Sequence, residues 1–256
     1  MEFEEIPNEK IEPITKVKMK ADGLLAPDIP KPLPNKSGFN LVINGYSGSG
    51  KTNLLIQILN RRAKNGVRQS LRRVFDSVVI CSPTLSTLAS NIFEDLSEKK
   101  KFKQFDEEML DGLDEIIQEM QDRQDDEEEN PNGDEMNTLL ILDDVGTQIK
   151  RNKRAESRFS QLIANRRHKN LSVITITQKH KDMPLSIRAN LTHYISFLPK
   201  NQHEKEAIFE EYVSKPKKNM NQFFAFFFQK KYDQMLIDMS DPPFVYYKNF
   251  NLVNFK

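Results

Sequence analysis

Eight consecutive residues, Gly45-Tyr46-Ser47-Gly48-Ser49-Gly50-Lys51-Thr52, fit the pattern G-x-x-x-x-G-K-[ST]. Glycines at this spacing let successive backbone N–H groups turn to one side without a Cβ clash. Those donors, with the N-terminus of the helix that follows, cradle phosphate oxygens. In such a loop Lys51 reaches the β- and γ-phosphates, the Thr52 hydroxyl ligates Mg²⁺, and the nucleotide-binding stretch runs on to Asn53. The expected ligands are ATP and Mg²⁺.

A second group of candidates ends the run TLLILDD at residues 138–144. An open α/β sheet binds its ligand beyond the C-terminal ends of its strands, which is where Asp143 and Asp144 fall. Asp143 is expected to hold the Mg²⁺ through its water shell, and Asp144 to orient or deprotonate the attacking water. The same residues could instead merely cap the next turn. Gln178 ends the run LSVITIT at residues 171–177 and is expected beside the γ-phosphate, where a polar residue can sense hydrolysis. Arg166, Arg167 and His168 precede that run, at an edge where an Arg can stabilise transition-state charge in a neighbouring subunit's site. Arg188 is a weaker candidate for that role, and a solvated helix end is the alternative for all of them.

These residues need a sheet and helices to hold them. Short apolar runs at 39–44 (FNLVIN), 75–81 (FDSVVIC), 138–142, 171–177 and 193–198 (HYISFL) are spaced as buried strands. Residues 53–64, 85–96, 109–120, 156–167 and 203–213 are expected helices. Strands that alternate with helices imply a mostly parallel sheet covered on both faces. A second acid after the third run, and an additional strand between loop and acids, mark an α/β P-loop NTPase of the additional-strand type with strand order 5-1-4-3-2. Residues 223–228 (FFAFFF) and 235–239 are expected to form a C-terminal β-hairpin. Residues 1–36 carry six prolines and read as an extended arm, with residues 37–256 as the ATPase domain. Residues 121–136 are expected to be a disordered acidic insert.

Composition narrows the function classes. The chain has 256 residues and a single cysteine, Cys81, which excludes a disulfide framework and a Cys-rich zinc site; four scattered His make a His-built metal site unlikely on composition alone. The longest apolar run, FFAFFF, is far short of the roughly 20 residues of a membrane span, and the acidic N-terminus has no signal-peptide core. The net charge of +1 hides two blocks. Residues 103–136 hold 15 Asp or Glu against Lys103 and Arg123, whereas residues 150–181 hold 10 Lys or Arg against Glu156. A basic block points to a polyanion, or else is a solvated helix face. Within it, Lys150, Arg151, Lys153 and Arg154 follow the acids closely and are the candidate contacts to DNA phosphates.

Together, GYSGSGKT, LLILDDVG, ANRRHKNLSVITITQ and IRANLTHYISF resemble the poxvirus-type DNA-packaging ATPases of the FtsK/HerA superfamily, over residues 38–215. The resemblance implies a homo-oligomeric ring, a hexamer or pentamer, that drives double-stranded DNA into a preformed capsid. It implies a host intracellular location, capsid components as partners and no membrane. By it Lys51, Thr52 and Asp143 bind nucleotide and Mg²⁺, Asp144 is the catalytic acid, Gln178 the sensor and Arg167 the finger acting in trans. Other readings are a cellular-type translocase or helicase of the same superfamily, an assembly protein that does not translocate DNA, and a small-molecule kinase. The kinase reading is weaker, because no Arg-rich lid is evident in the sequence and Asp144 has no clear role there.

Overall fold

The computed structural model describes residues 29, 31–60, 71–84, 93–126, 128–213 and 215–255. The expected helix at 85–96 lies mostly outside these residues, as do the end of the helix expected at 53–64 and most of the arm at 1–36. Nine strands are described: β1 (Asn40–Asn44), β2 (Ser77–Cys81), β3 (Lys101–Phe102), β4 (Thr138–Asp143), β5 (Leu171–Thr177), β6 (His193–Phe197), β7 (Gln234–Asp238), β8 (Val245–Lys248) and β9 (Asn251–Val253). The described α-helices are α1 (Lys51–Asn60), α2 (Glu107–Asp125), α3 (Gly146–Arg151), α4 (Lys153–Asn165), α5 (Leu185–Arg188), α6 (Gln202–Tyr212) and α7 (Met220–Phe227).

The strands form one sheet in the order β3-β2-β4-β5-β1-β6-β7-β8-β9. Its parallel centre, β6-β1-β5-β4-β2, is the 5-1-4-3-2 arrangement expected of a P-loop NTPase of the additional-strand type. Those strands are buried on both faces, which is why they read as continuous apolar runs. Alternate residues feed different cores. Val42, Leu140, Leu142 and Val173 pack with α2, α4, α6 and α7, while Leu41, Ile43, Leu139 and Ile141 pack with α1. Ile29 and Leu33, from the short described part of the arm, join the α1 side.

Three expectations are corrected. The Phe run at 223–228 is helical through Phe227, not a strand. Met220, Phe223, Phe224 and Phe227 recur at helical spacing and are buried, whereas Phe226 faces out. The C-terminal hairpin exists, but β7 pairs antiparallel with β8, not with the Phe run. The acidic stretch at 121–136 has structure among its described residues. α2 runs on to Asp125, and the loop beyond it is tied by the Asn130 amide, which donates to Gln124 O and Asp134 O at 2.9 Å each.

The two charge blocks meet inside the molecule. α2 lies against α4, and Arg154 pairs with Glu107 at 3.0 Å, while Arg158 reaches Asp111 at 2.5 Å and Asp114 at 2.7 Å. Lys169 adds a 3.7 Å pair to Asp114. Such exposed pairs stabilise by about 0–1 kcal/mol each, so they set helix placement more than stability.

His193 opens β6 almost fully buried, with Nδ1 at 2.9 Å from Thr192 Oγ1 and Nε2 at 3.6 Å from Asp238. Burial pushes its pKa down to about 4; the Asp238 carboxylate opposes that shift and Lys31 adds to it. An imidazole held below its unfolded value of about 6.5 makes the unfolded chain take up more protons. Stability therefore falls as pH drops from about 6.5 to about 4. In thermal melts across that window, His193→Gln is expected to lose less Tm than the natural chain; an equal loss would assign the dependence to other groups.

Candidate functional site

β1 ends at Asn44 and the chain turns at once into the glycine loop. Gly45 N donates to Thr177 O at 3.2 Å, which ties the loop entrance to the end of β5. A Cβ on Gly45 would stand 2.6 Å from Ser49 Oγ and 2.9 Å from Phe197 Cβ, so this position has no room for a side chain. Gly48 and Gly50 hold φ of 78° and 100°, in the region that favours glycine. Helix α1 then starts at Lys51, and its first free N–H groups face the loop. Lys51 is buried and its Nζ donates to Tyr46 O at 3.0 Å, across the loop. Burial lowers the Lys51 pKa, against the pull of the Asp144 and Asp143 charges.

Asp143 is the last residue of β4 and pairs in register with Ile176 of β5. Its carboxylate is buried and accepts from Ser82 Oγ at 3.0 Å. Burial raises its pKa, the Asp144 charge adds to that, and Ser82 and Lys51 oppose it. Asp144 lies one step beyond the strand at φ 55°, exposed, with its N–H bonded to Ile176 O at 3.1 Å. Gln178 Nε2 donates to Asp144 Oδ2 at 2.6 Å. The ends of β1, β4 and β5 thus bring Lys51, Asp143, Asp144 and Gln178 to one edge of the sheet.

A metal fits this edge. Thr52 and Asp143 offer hard oxygen donors, and at the buried Asp143 carboxylate burial outweighs the Ser82 hydrogen bond and the Lys51 charge. No cluster of three or more His, Cys, Asp or Glu among the described residues would hold an ion alone. Magnesium sites of this kind use one or two carboxylates together with substrate phosphates.

The two adjacent arginines separate. Arg166 is buried, and donates from Nε to Gly38 O at 2.7 Å and from Nη1 to Ile163 O at 2.8 Å. Its place is structural. Arg167 is exposed, with its stem against Gly38, where a Cβ would lie 2.9 Å from Arg167 Cγ. It precedes β5, at the end of the sheet opposite the phosphate loop. Arg188 is committed to Glu211 and His180, and the His180 ring packs edge-on against Tyr212. Cys81 is buried at the end of β2 and burial pushes its thiol up to about 12, so it is inert.

Of the basic candidates, Arg151, Lys153 and Arg154 are exposed, and Lys150 donates to Lys181 O. Lys153 and Arg154 are already paired with Glu156 and Glu107. Sequence reasoning missed Ser82, which carries no motif and is recognisable only because β2 lies beside β4. It also missed Glu204, which accepts from Asn44 Nδ2 at 3.4 Å and His180 N at 3.1 Å, joining the strand before the loop to the segment after Gln178.

The fold is shared with solved structures. B204, the DNA-packaging ATPase from Sulfolobus Turreted Icosahedral Virus, superposes with a TM-score of 0.52 at 17% identity, covering 82% of this chain and 97% of that one. The genome packaging NTPase B204 from Sulfolobus turreted icosahedral virus 2, solved with ATP-gammaS, gives 0.51 at 16% over 82% and 97%. No curated protein matches. The Poxvirus A32 protein family matches residues 32–242, a span that contains the phosphate loop, both acids, Gln178 and Arg167. With the motif residues meeting at one sheet edge and most of its length matched, the chain belongs to the poxvirus A32 protein family.

Proposed function

We propose that this protein is an ATP-hydrolysing motor that moves double-stranded viral DNA into a preformed capsid, as a homo-oligomeric ring inside the infected cell. The observation that carries this is the meeting of Lys51, Asp143, Asp144 and Gln178 beside the loop, in a member of this family. The relatives support it: B204 is a DNA-packaging ATPase, and its counterpart from the second virus has been solved with ATP-gammaS and AMPPCP. Mg²⁺, held by Thr52 and Asp143 with the phosphates, would offset phosphate charge. The loop N–H groups and Lys51 bind and orient the phosphates. Asp144 takes the proton of the attacking water, and Gln178, hydrogen-bonded to Asp144, feels the change when the terminal phosphate leaves. No helix among the described residues is long and apolar enough to cross a membrane.

Hydrolysis measured with and without double-stranded DNA tests the coupling. A clear rise with DNA is expected. A rate that ignores DNA would favour an assembly protein that binds nucleotide without moving DNA.

Lys150, Arg151, Lys153 and Arg154 are proposed to touch phosphates without reading bases. Affinity should then fall linearly in log salt, with a slope of about −0.9 per phosphate contact. Neutralising all four is expected to flatten that slope by about 1–3, because two of them first have to leave internal ion pairs. An unchanged slope would remove this helix pair from the DNA path.

A further inference from the structure

The phosphate loop opens into a cleft of about 540 Å³. Sheet order gives the cleft a direction. β4 and β5, which carry the acids and lead to Gln178, lie on one side of β1, whereas β6 and β7 lie on the other. The terminal phosphate of a bound triphosphate belongs beside Lys51 and the acids. The phosphate chain then runs over the loop to the start of α1, and the nucleoside is left on the β6–β7 side. The cleft lies on that side, with Thr52, Asn53 and Gln57 of α1, Phe197 at the end of β6, Tyr232 and Gln234 in its walls.

Tyr232 is not placed as a core residue. It is 57% exposed and held at φ 71°, a strained conformation for a bulky side chain. The turn around it is fastened by Asp233, whose carboxylate accepts from Gln229 N, Lys230 N and Asn249 Nδ2 at 2.8–2.9 Å. Strained residues gather at ligand sites, and this one stands in the wall of the cleft. The ring also meets the loop itself. Tyr232 Cδ1 lies 3.4 Å, and Phe197 Cε1 3.7 Å, from where a Cβ on Gly50 would stand. Lys231 Nζ sits 4.8 Å from the Tyr232 ring centroid, and Lys231 lines a neighbouring hollow rather than the cleft. Tyr232 is therefore the wall between the two.

We propose that Tyr232 and Phe197 hold the nucleobase of the bound nucleotide, Tyr232 by stacking on the base face, and that the amides of Gln57 and Gln234 meet the base edge. This rests on the nucleotide-hydrolase function above and adds the part of the ligand that the loop motif does not specify. An aromatic face takes a base through its π surface, and a Gln amide offers both a donor and an acceptor to its rim. Inorganic triphosphate uses the loop and Lys51 but has nothing to give Tyr232.

Equilibrium binding of ATP and of inorganic tripolyphosphate to the full chain, with Mg²⁺ present, tests this. Tyr232→Ala is expected to weaken ATP by about 10–100-fold, from the stacking lost, and to leave tripolyphosphate binding unchanged. Tyr232→Phe keeps ATP affinity near that of the natural chain. Tyr232→Asn, a residue that tolerates positive φ, repeats the loss without disturbing the turn. ATP affinity unchanged in both the Ala and Asn variants would overturn the proposal. So would an equal loss of ATP and tripolyphosphate, which would make Tyr232 a support of the loop. Lys51→Ala should weaken both ligands; if it weakened neither, the phosphate site itself would be wrong, a failure separate from that of the base contact.

Discussion

Arg167→Ala is expected to lower ATP hydrolysis by about 10³–10⁵-fold, the range a supplied arginine contributes in other phosphate-loop hydrolases. Arg167 precedes β5 and rests against Gly38, just ahead of β1, whereas the loop follows the other end of β1. Its own guanidinium is thus at the wrong end of the sheet for its own nucleotide. A neighbouring subunit in a ring can bring that arginine against the developing charge. Hydrolysis per subunit should therefore rise with protein concentration. Arg167→Ala and Lys51→Ala subunits, each inactive alone, should recover activity when mixed, because some interfaces then pair an intact loop with an intact Arg167. Arg166→Ala should behave differently. It removes the donor to Gly38 O and Ile163 O, and so lowers Tm. Activity per subunit that ignored concentration, with a dead mixture of assembled mutants, would exclude Arg167 as the trans finger.

Asp144→Asn is expected to lower hydrolysis by about 10²-fold or more while ATP still binds. The substitution keeps the shape of the site. Asn tolerates positive φ as Asp does, so the backbone at φ 55° is not strained further. An Asn side chain can still accept from Gln178 Nε2 through its carbonyl oxygen. What is lost is the carboxylate that takes the water proton. The loop N–H groups and Lys51, proposed to bind the phosphates, stay in place; Lys51 loses the pull of the Asp144 charge but keeps that of Asp143. Single-turnover hydrolysis and ATP affinity, measured on the same protein, separate the two. A variant that turned over at the natural rate would remove Asp144 from water activation.

The residues proposed to form the site were legible because phosphate chemistry ties their types to their spacing. The glycine loop, Lys51 and Thr52 occupy contiguous positions, and Asp143, Asp144 and Gln178 end apolar runs that had to be buried strands. Five runs buried on both faces made a parallel sheet legible, but their order followed only from the type of ATPase that the loop and the two acids point to. Residues 223–228 were not legible, because a short apolar run carries no period of its own. Only Met220, outside that run, shows with Phe223, Phe224 and Phe227 that the stripe is helical. The acidic block reads as an amphipathic helix at 109–120 with a disordered insert at 121–136, and the basic block as a polyanion site or a solvated helix face. That Arg158 would meet Asp111 and Asp114 depends on α2 packing beside α4, more than 40 residues away in sequence. Ser82 and Tyr232 have no motif; each meets the proposed site only through the strand or loop that the fold lays beside it.

Hydrolysis is proposed to move the protein along double-stranded DNA. Displacement of a third strand from a triplex placed on a linear duplex measures that movement directly. Displacement should require ATP and Mg²⁺, and should vanish in Lys51→Ala and Asp144→Asn. ATP hydrolysis that DNA stimulates but that leaves the third strand in place would mean that the protein binds DNA without moving along it.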